Sequence, residues 1–507
     1  MEVDAIPPIE RCPQEILENI FIECLPPVHE PDRSFIPLRL SHVCSWWRTI
    51  AFNLPPLWRS LYLADNLKKR SKYEIFCPDK KRSIDSAAAD NMKHLTKLWA
   101  DNARHRSLSV YLEMNSFCHG AGNIVTNVAN RLQFLRLQVL PSYIFEPFIN
   151  TADIEVEQLE SLHLTWNYSS AIMFNNVTAF TAAPKLHKLR LDFESIIDTI
   201  DNQMLEPSFT SYHFMVPWQQ LTHVCMDNIT LETWDDLLRS CPQLQECLVT
   251  FGNFADVTSS PLMLAQAPTT IRRLTKLGIN LGRSGGLFSF DQLEMPALQS
   301  LQISAKPWMR NERARKFDWQ DSLVPSFKWL GNLESLTVSL QDMSTRIDDL
   351  IKVLPYMKGL KNLTILYIEN GSDVDTILRS LTHDSIPSTC PEDWVLPNLE
   401  CLKLEMASTY DLRPATETLP CSIYNFVRHR WWKPVDSEDP GMSRRFASHR
   451  HLRSCNIGMT FFRKRGARKF FREVDQLLTP FRVQGLHAQI YESHCNWTYD
   501  RMTHDWW

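Results

Sequence analysis

The feature that most restricts this chain is a spacing. Leu-x-x-Leu-x-Leu, with substitutions, begins at Leu132, Leu159, Leu186, Leu221, Leu244, Leu274, Leu298, Leu333, Leu363 and Leu399, and more loosely at Leu452. Successive starts lie 23 to 36 residues apart until a last gap of 53. Within each copy the apolar positions alternate, as in a strand with one buried face. Helical apolar spacing fills some of the intervals, at Trp234 to Ser240 and at Ile347 to Leu354. One strand and one helix cannot bury a shared apolar face alone, whereas a stack of such units can. Leu162, Leu189, Leu301, Leu336, Leu366 and Leu402 are therefore expected to line one continuous core, as packing only. Pro184, Pro242, Pro296 and Pro397 each precede a repeat by two residues, a placement that suits the first residues of a strand, where a missing donor does least harm.

A period in this range resembles that of leucine-rich repeats. The asparagine that such repeats place three residues after the third leucine occurs once, at Asn167, so the resemblance implies an irregular, degenerate solenoid. The expected fold class is α/β, with parallel strands on one face and helices on the other. Residues alternating with the leucines then point into the inner face. They are Phe134, Arg136 and Gln138; Ser161, His163 and Thr165; Lys188, Arg190 and Asp192; Glu246, Leu248 and Thr250; Ser335, Thr337 and Ser339; Ile365, Tyr367 and Glu369; Cys401, Lys403 and Glu405. The signs are mixed and no long basic, aromatic track runs through them, which disfavours nucleic acid. They suit a protein partner read by a few anchors, for which Arg136, His163, Lys188, Arg190, Asp192, Tyr367, Lys403 and Glu405 are the candidates.

Ahead of the repeats, two short apolar helical patterns are joined by a proline-rich link. The first opens at Pro13, with Glu15 placed where the helix dipole favours an acid. Along it Ile16, Leu17, Ile20, Phe21, Cys24 and Leu25 cover a sector broader than one core-facing stripe. Pro26, Pro27, Pro31 and Pro37 bar a continuous helix across the following dozen residues. A second pattern, Leu38 to Phe52, puts Leu40, Val43, Cys44, Trp47, Ile50 and Ala51 on one helical side, and Leu57 and Trp58 follow Pro55 and Pro56.

These residues resemble the F-box family. Pro13, Glu15-Ile16-Leu17 and Ile20-Phe21 match its first helix; Val43-Cys44, Trp47 and Leu57-Trp58 match its second half. The long proline-rich insert and the closing Pro-Pro-Leu-Trp-Arg-Ser-Leu-Tyr-Leu look like F-box proteins of mushroom-forming fungi. Where the family usually has Leu before the first Pro, this chain has Cys12. The resemblance implies a Skp-family adaptor bound through Pro13, Glu15, Ile16, Leu17, Ile20, Phe21, Val43, Cys44 and Trp47, and through it a cullin–RING ubiquitin ligase. The rest of the chain would select an unknown protein substrate. The expected organisation is an F-box domain at 1–63, a linker and joining helix at 64–107 and a substrate-recognition domain at 108–507. A small helical unit has little core of its own, so surplus apolar surface needs a partner.

The remaining observations mostly exclude. With 54 basic and 58 acidic residues the 507-residue chain carries a net charge of -4, so no global field draws it to nucleic acid or anionic membrane. Thirteen cysteines without a C-x-x-C pair fit reduced thiols rather than a secreted disulfide framework. The acidic, proline-bearing start lacks a secretory pattern, and no apolar run is long enough to span a bilayer. The expected location is cytoplasmic and/or nuclear. Phosphate-cradling glycine loops, H-E-x-x-H and G-x-S-x-G are missing, so neither an enzyme nor a cofactor is expected. His449 and His451 lack the further ligands of a metal site. Lys68-Lys69-Arg70 and Lys80-Lys81-Arg82 flank a polar stretch expected to be a solvated linker, with nuclear import as the alternative. Residues 461–472 mix six basic residues with Phe461, Phe462, Phe470 and Phe471. A capping helix with its rings inward is expected there, and a contact to RNA or an import factor is the alternative.

Overall fold

The structure is a computed structural model that describes residues 12–27, 32–64, 86–114, 125–139, 154–167, 178–194, 215–251, 269–281, 290, 293–305, 319, 323, 327–340, 347–368, 371–382, 395–406, 415–431, 452–459 and 464–492. The two basic runs, the histidine pair at 449 and 451, Glu369 and residues 461–463 lie outside these residues, as does the side chain of Asn167. The chain forms two compact units, Met1–Asp227 and Asn228–Trp507.

In the first unit, α1 (Gln14–Glu23), α2 (Ile36–Ser41), α3 (Ser45–Asn53) and a 3-10 turn (Pro55–Trp58) lead directly into strand β1 (Ser60–Ala64). Helix α4 (Ser86–Ala103) and strands β2 (Leu108–Met114), β3 (Leu132–Val139), β4 (Ser161–Asn167), β5 (Lys188–Glu194) and β6 (His223–Ile229) follow. The strands are parallel neighbours in chain order. Register stacks like on like: Leu61, Val110, Leu135, Leu162, Leu189 and Val224 form one row, and Leu63, Leu112, Leu137, Leu164, Leu191 and Met226 the next. Every one of these side chains is buried, because a period of two sends each row to the same face.

The helices hold the start of this sheet through tryptophans. Trp58 is fully buried, donates its indole N–H to the Ala51 carbonyl at 2.8 Å, and meets Trp99 of α4 edge-on with centroids 4.9 Å apart. Trp99 in turn donates to the Ser60 carbonyl at 2.8 Å. The last residues of the expected 1–63 module are thus the sheet's first strand.

One continuous helix was the expectation for Leu38 to Phe52, and the structure breaks it. Pro37 sits in the first turn of α2, where a missing N–H is harmless. The buried Asp32 side chain takes the N–H of Ser34 at 3.0 Å and of Ile36 at 2.8 Å, with Phe35 held left-handed between them at φ 49. Burial pushes the Asp32 carboxyl above its usual range against those bonds. Chain reversal at His42 and Val43 ends α2, whose Ser41 carbonyl accepts from Arg48 Nε at 3.0 Å. Cys44 then caps α3, its Sγ accepting from Trp47 N at 3.4 Å.

The second unit contains α5 (Leu231–Ser240), β7 (Glu246–Phe251), β8 (Thr269–Thr270), β9 (Lys276–Leu281), β10 (Leu293–Glu294), β11 (Ser300–Ala305), α6 (Phe327–Leu330), β12 (Ser335–Ser339), α7 (Ile347–Val353), β13 (Asn362–Ile368), α8 (Gly371–Leu381), β14 (Cys401–Met406), α9 (Ala415–Trp431), β15 (Ser454–Met459), α10 (Lys464–Val483) and β16 (His487–Glu492). Its main ladder runs β7-β9-β11-β12-β13-β14-β15-β16, all parallel, with β8 and β10 paired separately. Thr230 caps α5 by accepting from Thr233 N at 3.0 Å. In α10 Phe470 is buried and Phe471 half-buried, while Lys469 and Arg472 are exposed; Phe461 and Phe462 lie outside the described residues.

The four prolines do not start strands. Each is the second residue of a β-turn closed by the repeat's first leucine: Leu186 N to Ala183 O at 3.2 Å, Leu244 N to Cys241 O at 3.2 Å, Leu298 N to Met295 O at 3.1 Å and Leu399 N to Leu396 O at 3.3 Å. A fixed φ is favourable at that turn position. The same turn corrects a repeat start. Leu360 N bonds to Met357 O at 3.0 Å, and Leu363 stands opposite Leu336 and Leu402, the second leucines of their repeats. The repeat therefore begins at Leu360, three residues before the expected Leu363. A Cβ on Gly359 in that turn would collide with the Gly331 carbonyl of the preceding one, which explains a glycine there.

Candidate functional site

Two surfaces carry the residues singled out from sequence. The first is the helical segment. Pro13 precedes α1 as its cap residue at φ -54 and ψ 144, its carbonyl taking Ile16 N at 3.1 Å and Leu17 N at 3.2 Å. The two i, i+4 pairs of α1 separate cleanly. Leu17 and Phe21 are fully buried, whereas Ile16 is 49% and Ile20 45% exposed. Val43, in the turn before α3, is 60% exposed. Pro13 and Glu15 are exposed, and Cys44 and Trp47 half-buried, the Trp47 ring lying 4.8 Å from that of Phe21. Of the nine residues expected to meet an adaptor, Leu17 and Phe21 belong to the core and have no surface to offer.

The second surface is the strand face opposite the leucines. In the first unit Tyr62, Tyr111, Arg136, His163, Arg190 and Cys225 stand opposite one another in successive strands, and Ala64, Glu113, Gln138, Thr165 and Asp192 form the row beyond them. Their pairing is lateral. The Tyr62 hydroxyl donates to Glu113 Oε2, Arg33 Nη2 lies 3.0 Å from Glu113 Oε1, and the Arg33 guanidinium sits 5.4 Å from the Tyr62 ring centroid. Burial, and then Glu113, push the Tyr62 phenol up to about 12.

His163 Nε2 lies 2.7 Å from Asp192 Oδ2, and Arg190 Nε donates to both Asp192 oxygens at 2.8 and 3.0 Å. Thr165 Oγ1 is 3.3 Å from the same His163 nitrogen. His163 is only 4% exposed, and this burial outweighs its carboxylate neighbour, bringing its pKa down to about 4. Burial pushes Asp192 the other way, yet His163 and Arg190 prevail and hold it near 2. At neutral pH the ring is therefore neutral and donates its Nε2 proton to the carboxylate.

This face is less open than the partner-reading inner surface expected of it. Glu113, Ser161, His163 and Thr165 are buried, Arg190 and Asp192 nearly so, and Arg136 and Lys188 half-buried. Charges can sit this deep because partners on adjacent strands neutralise them. The register puts Arg136, His163, Arg190 and Asp192 on one face of the sheet, where His163 and Arg190 engage Asp192. Tyr62, Glu113 and Arg33 were missed. Tyr62 alternates with Leu61 and Leu63, and Glu113 follows Leu108, Val110 and Leu112, so the signal for both was the same period of two.

In the second unit the third position of the face is polar and buried at Thr250, Asn280, Ser304 and Ser339. Lys403 Nζ lies 2.9 Å from Glu405 Oε1, and the Tyr491 hydroxyl donates to the same oxygen at 2.8 Å. Gly458 stands between Glu405 and Tyr491 in the register, and a Cβ there would lie 3.0 Å from the Tyr491 ring. Tyr367 does not join this row. It sits in a bulge between Ile365 and Ile368 at φ 58, and Ile365, expected on the same face, is buried opposite Val338. Both follow from the three-residue shift of this repeat.

An open groove of about 500 Å³ runs along β16, lined by Arg482, Leu486, His487, Ala488, Gln489, Ile490 and Tyr491. Among the described residues no group of three or more His, Cys, Asp or Glu side chains could hold a metal ion, and no helix is long and apolar enough to cross a membrane. Burial pushes the Cys241 and Cys455 thiols up to about 12, which keeps them protonated. No family model matches this chain, and no curated protein sequence matches it.

Proposed function

We propose that this protein is the substrate-recognition subunit of a Skp–cullin–F-box type ubiquitin ligase. Its helical segment binds a Skp-family adaptor, and its strand face binds a protein target. The observation that carries the reading is the division of α1. Its core-facing pair is fully buried, and its outward pair is aliphatic and wet. Ile16, Ile20 and Val43 are three of the six large apolar side chains exposed among the described residues, although they span fewer than thirty positions of the sequence. Such a concentration supports an interface rather than scattered surface leucine and isoleucine. Function on this reading is positional: the receptor raises the local concentration of a target lysine near charged ubiquitin, and no side-chain chemistry is required of it.

Co-purification of the full chain with a Skp-family adaptor and a cullin tests this. Ile16→Asp is expected to reduce adaptor recovery tenfold or more while leaving melting unchanged, since an acid in the first turn of a helix is favourable. Leu17→Ala is expected to cost about 2 to 5 kcal/mol of stability. Recovery of the adaptor without cullin would leave a scaffold and remove ubiquitin transfer. Failure of the intact chain to retain any Skp-type adaptor would remove the reading altogether.

A further inference from the structure

Lateral pairing on the strand face of the first unit leaves a guanidinium donor without a partner among the described residues. Arg136 Nε is buried and donates to no acceptor among the described residues. Among the described residues, the carboxylates that act on Arg136 electrostatically are Asp192 and Glu113. His163 and Arg190 engage the oxygens of the first, and Tyr62 and Arg33 those of the second. The register places Arg136 opposite His163, so Ser161 is its diagonal neighbour on the same face of β4. Ser161 is 7% exposed, and its hydroxyl also has no partner among the described residues.

A buried donor without an acceptor is destabilising, and a guanidinium more so because it cannot shed its proton. An apolar residue of similar volume would serve folding better at such a point. The Nε edge of a guanidinium presents two parallel N–H groups, the fork that matches the two oxygens of a carboxylate or phosphoryl group. A serine hydroxyl one diagonal step away supplies a third donor within reach of the same group.

We propose that Arg136 and Ser161 receive an oxyanion, a carboxylate or phosphoryl group carried by an extended segment of the bound target. This rests on the reading of the strand face as the target site and names the chemistry recognised there. Ser161 is buried and Arg136 half-buried, which suits a group arriving on a slender chain rather than a flat protein surface.

The test uses the free full-length protein, apart from adaptor and cullin, so that its failure leaves the ligase reading standing and failure of adaptor retention leaves this result intact. Melting is followed while sodium phosphate, or separately sodium acetate, is titrated against sodium chloride at matched ionic strength. A saturable rise in melting temperature with either anion is expected, and the more effective one identifies the group. Arg136→Met is expected to abolish that response and to melt higher than the parent in anion-free buffer, because the unpaired charge is gone. Ser161→Ala is expected to weaken the apparent affinity several-fold. Should Arg136→Met not fold, Arg136→Lys, which keeps the charge and loses the fork, is expected to weaken it similarly. A parent protein that responds to the anions no more than to chloride overturns the proposal, as does an unchanged response in the Arg136 and Ser161 variants.

Discussion

His163 offers a quantitative test of how this face is built. Its pKa falls from 6.5 to about 4 because burial opposes the charged ring. A group depressed in the folded state contributes stability that is whole above the unfolded pKa and is lost as pH falls toward the folded one, since the unfolded chain then binds the proton and the native chain does not. Between about pH 7.5 and about pH 5 this residue alone should remove about 2 kcal/mol of stability. Asp192, held near 2 rather than 3.8, adds a loss of the same sign only below its unfolded pKa and hardly contributes at about pH 5. Urea unfolding of the parent and of His163→Gln at both pH values isolates the effect. The glutamine amide keeps an N–H for Asp192 and does not titrate, and the other histidines are common to both proteins. The expected result is a pH-dependent loss in the parent larger by about 2 kcal/mol than in the variant. If the parent instead lost less than the variant, His163 would be protonated in the native state and its pairing with Asp192 would outweigh burial, which would refute the argument.

Two further outcomes follow from packing. Gly458→Ala should cost about 1 to 2 kcal/mol, because the new methyl must displace the Tyr491 ring. In a Tyr491→Ala background the same change should be close to neutral, and a double-mutant cycle by chemical denaturation measures the coupling; additive effects would deny the contact. Trp99→Ala should cost about 3 to 5 kcal/mol and, by hydrogen exchange, lower protection in α3 and β1 together, since Trp99 touches Trp58 and the Ser60 carbonyl; loss confined to α4 would contradict that coupling.

The apolar frame was legible because alternation with a period of two fixes which face a residue occupies without knowledge of its partners. Leu135, Leu162 and Leu189 are where their spacing put them. Spacing alone misled at Leu363, because Leu366 three residues later imitates the motif; the turn closed by Leu360 decides the register, and turns are weakly written in sequence. It misled again at Val43, read as part of one helix with Leu40 and Trp47, whereas it lies in the turn after α2 and Cys44 caps α3. The charge network was legible in membership but not in depth. Arg136, His163, Arg190 and Asp192 could be assigned to one face, whereas their burial depends on which residues oppose them two and three strands away. Arg33 was beyond reach, since nothing local ties the loop before α2 to Glu113 some eighty positions later.

Strand β1 has a consequence for any attempt to move the helical segment to another chain. It is hydrogen-bonded in parallel to β2 across five register pairs, Ser60 with Ser109 through Ala64 with Glu113, and no hinge separates it from Trp58. A graft cut at residue 58 would strip Trp58 of Trp99 and leave β1, with Leu61 and Leu63, behind without the helices that cover it. A transplantable cassette must therefore carry β1, α4 and β2 with it. In the intact chain the same hydrogen bonding ties the helical segment to β2 through β1, so the two are not joined by a free tether.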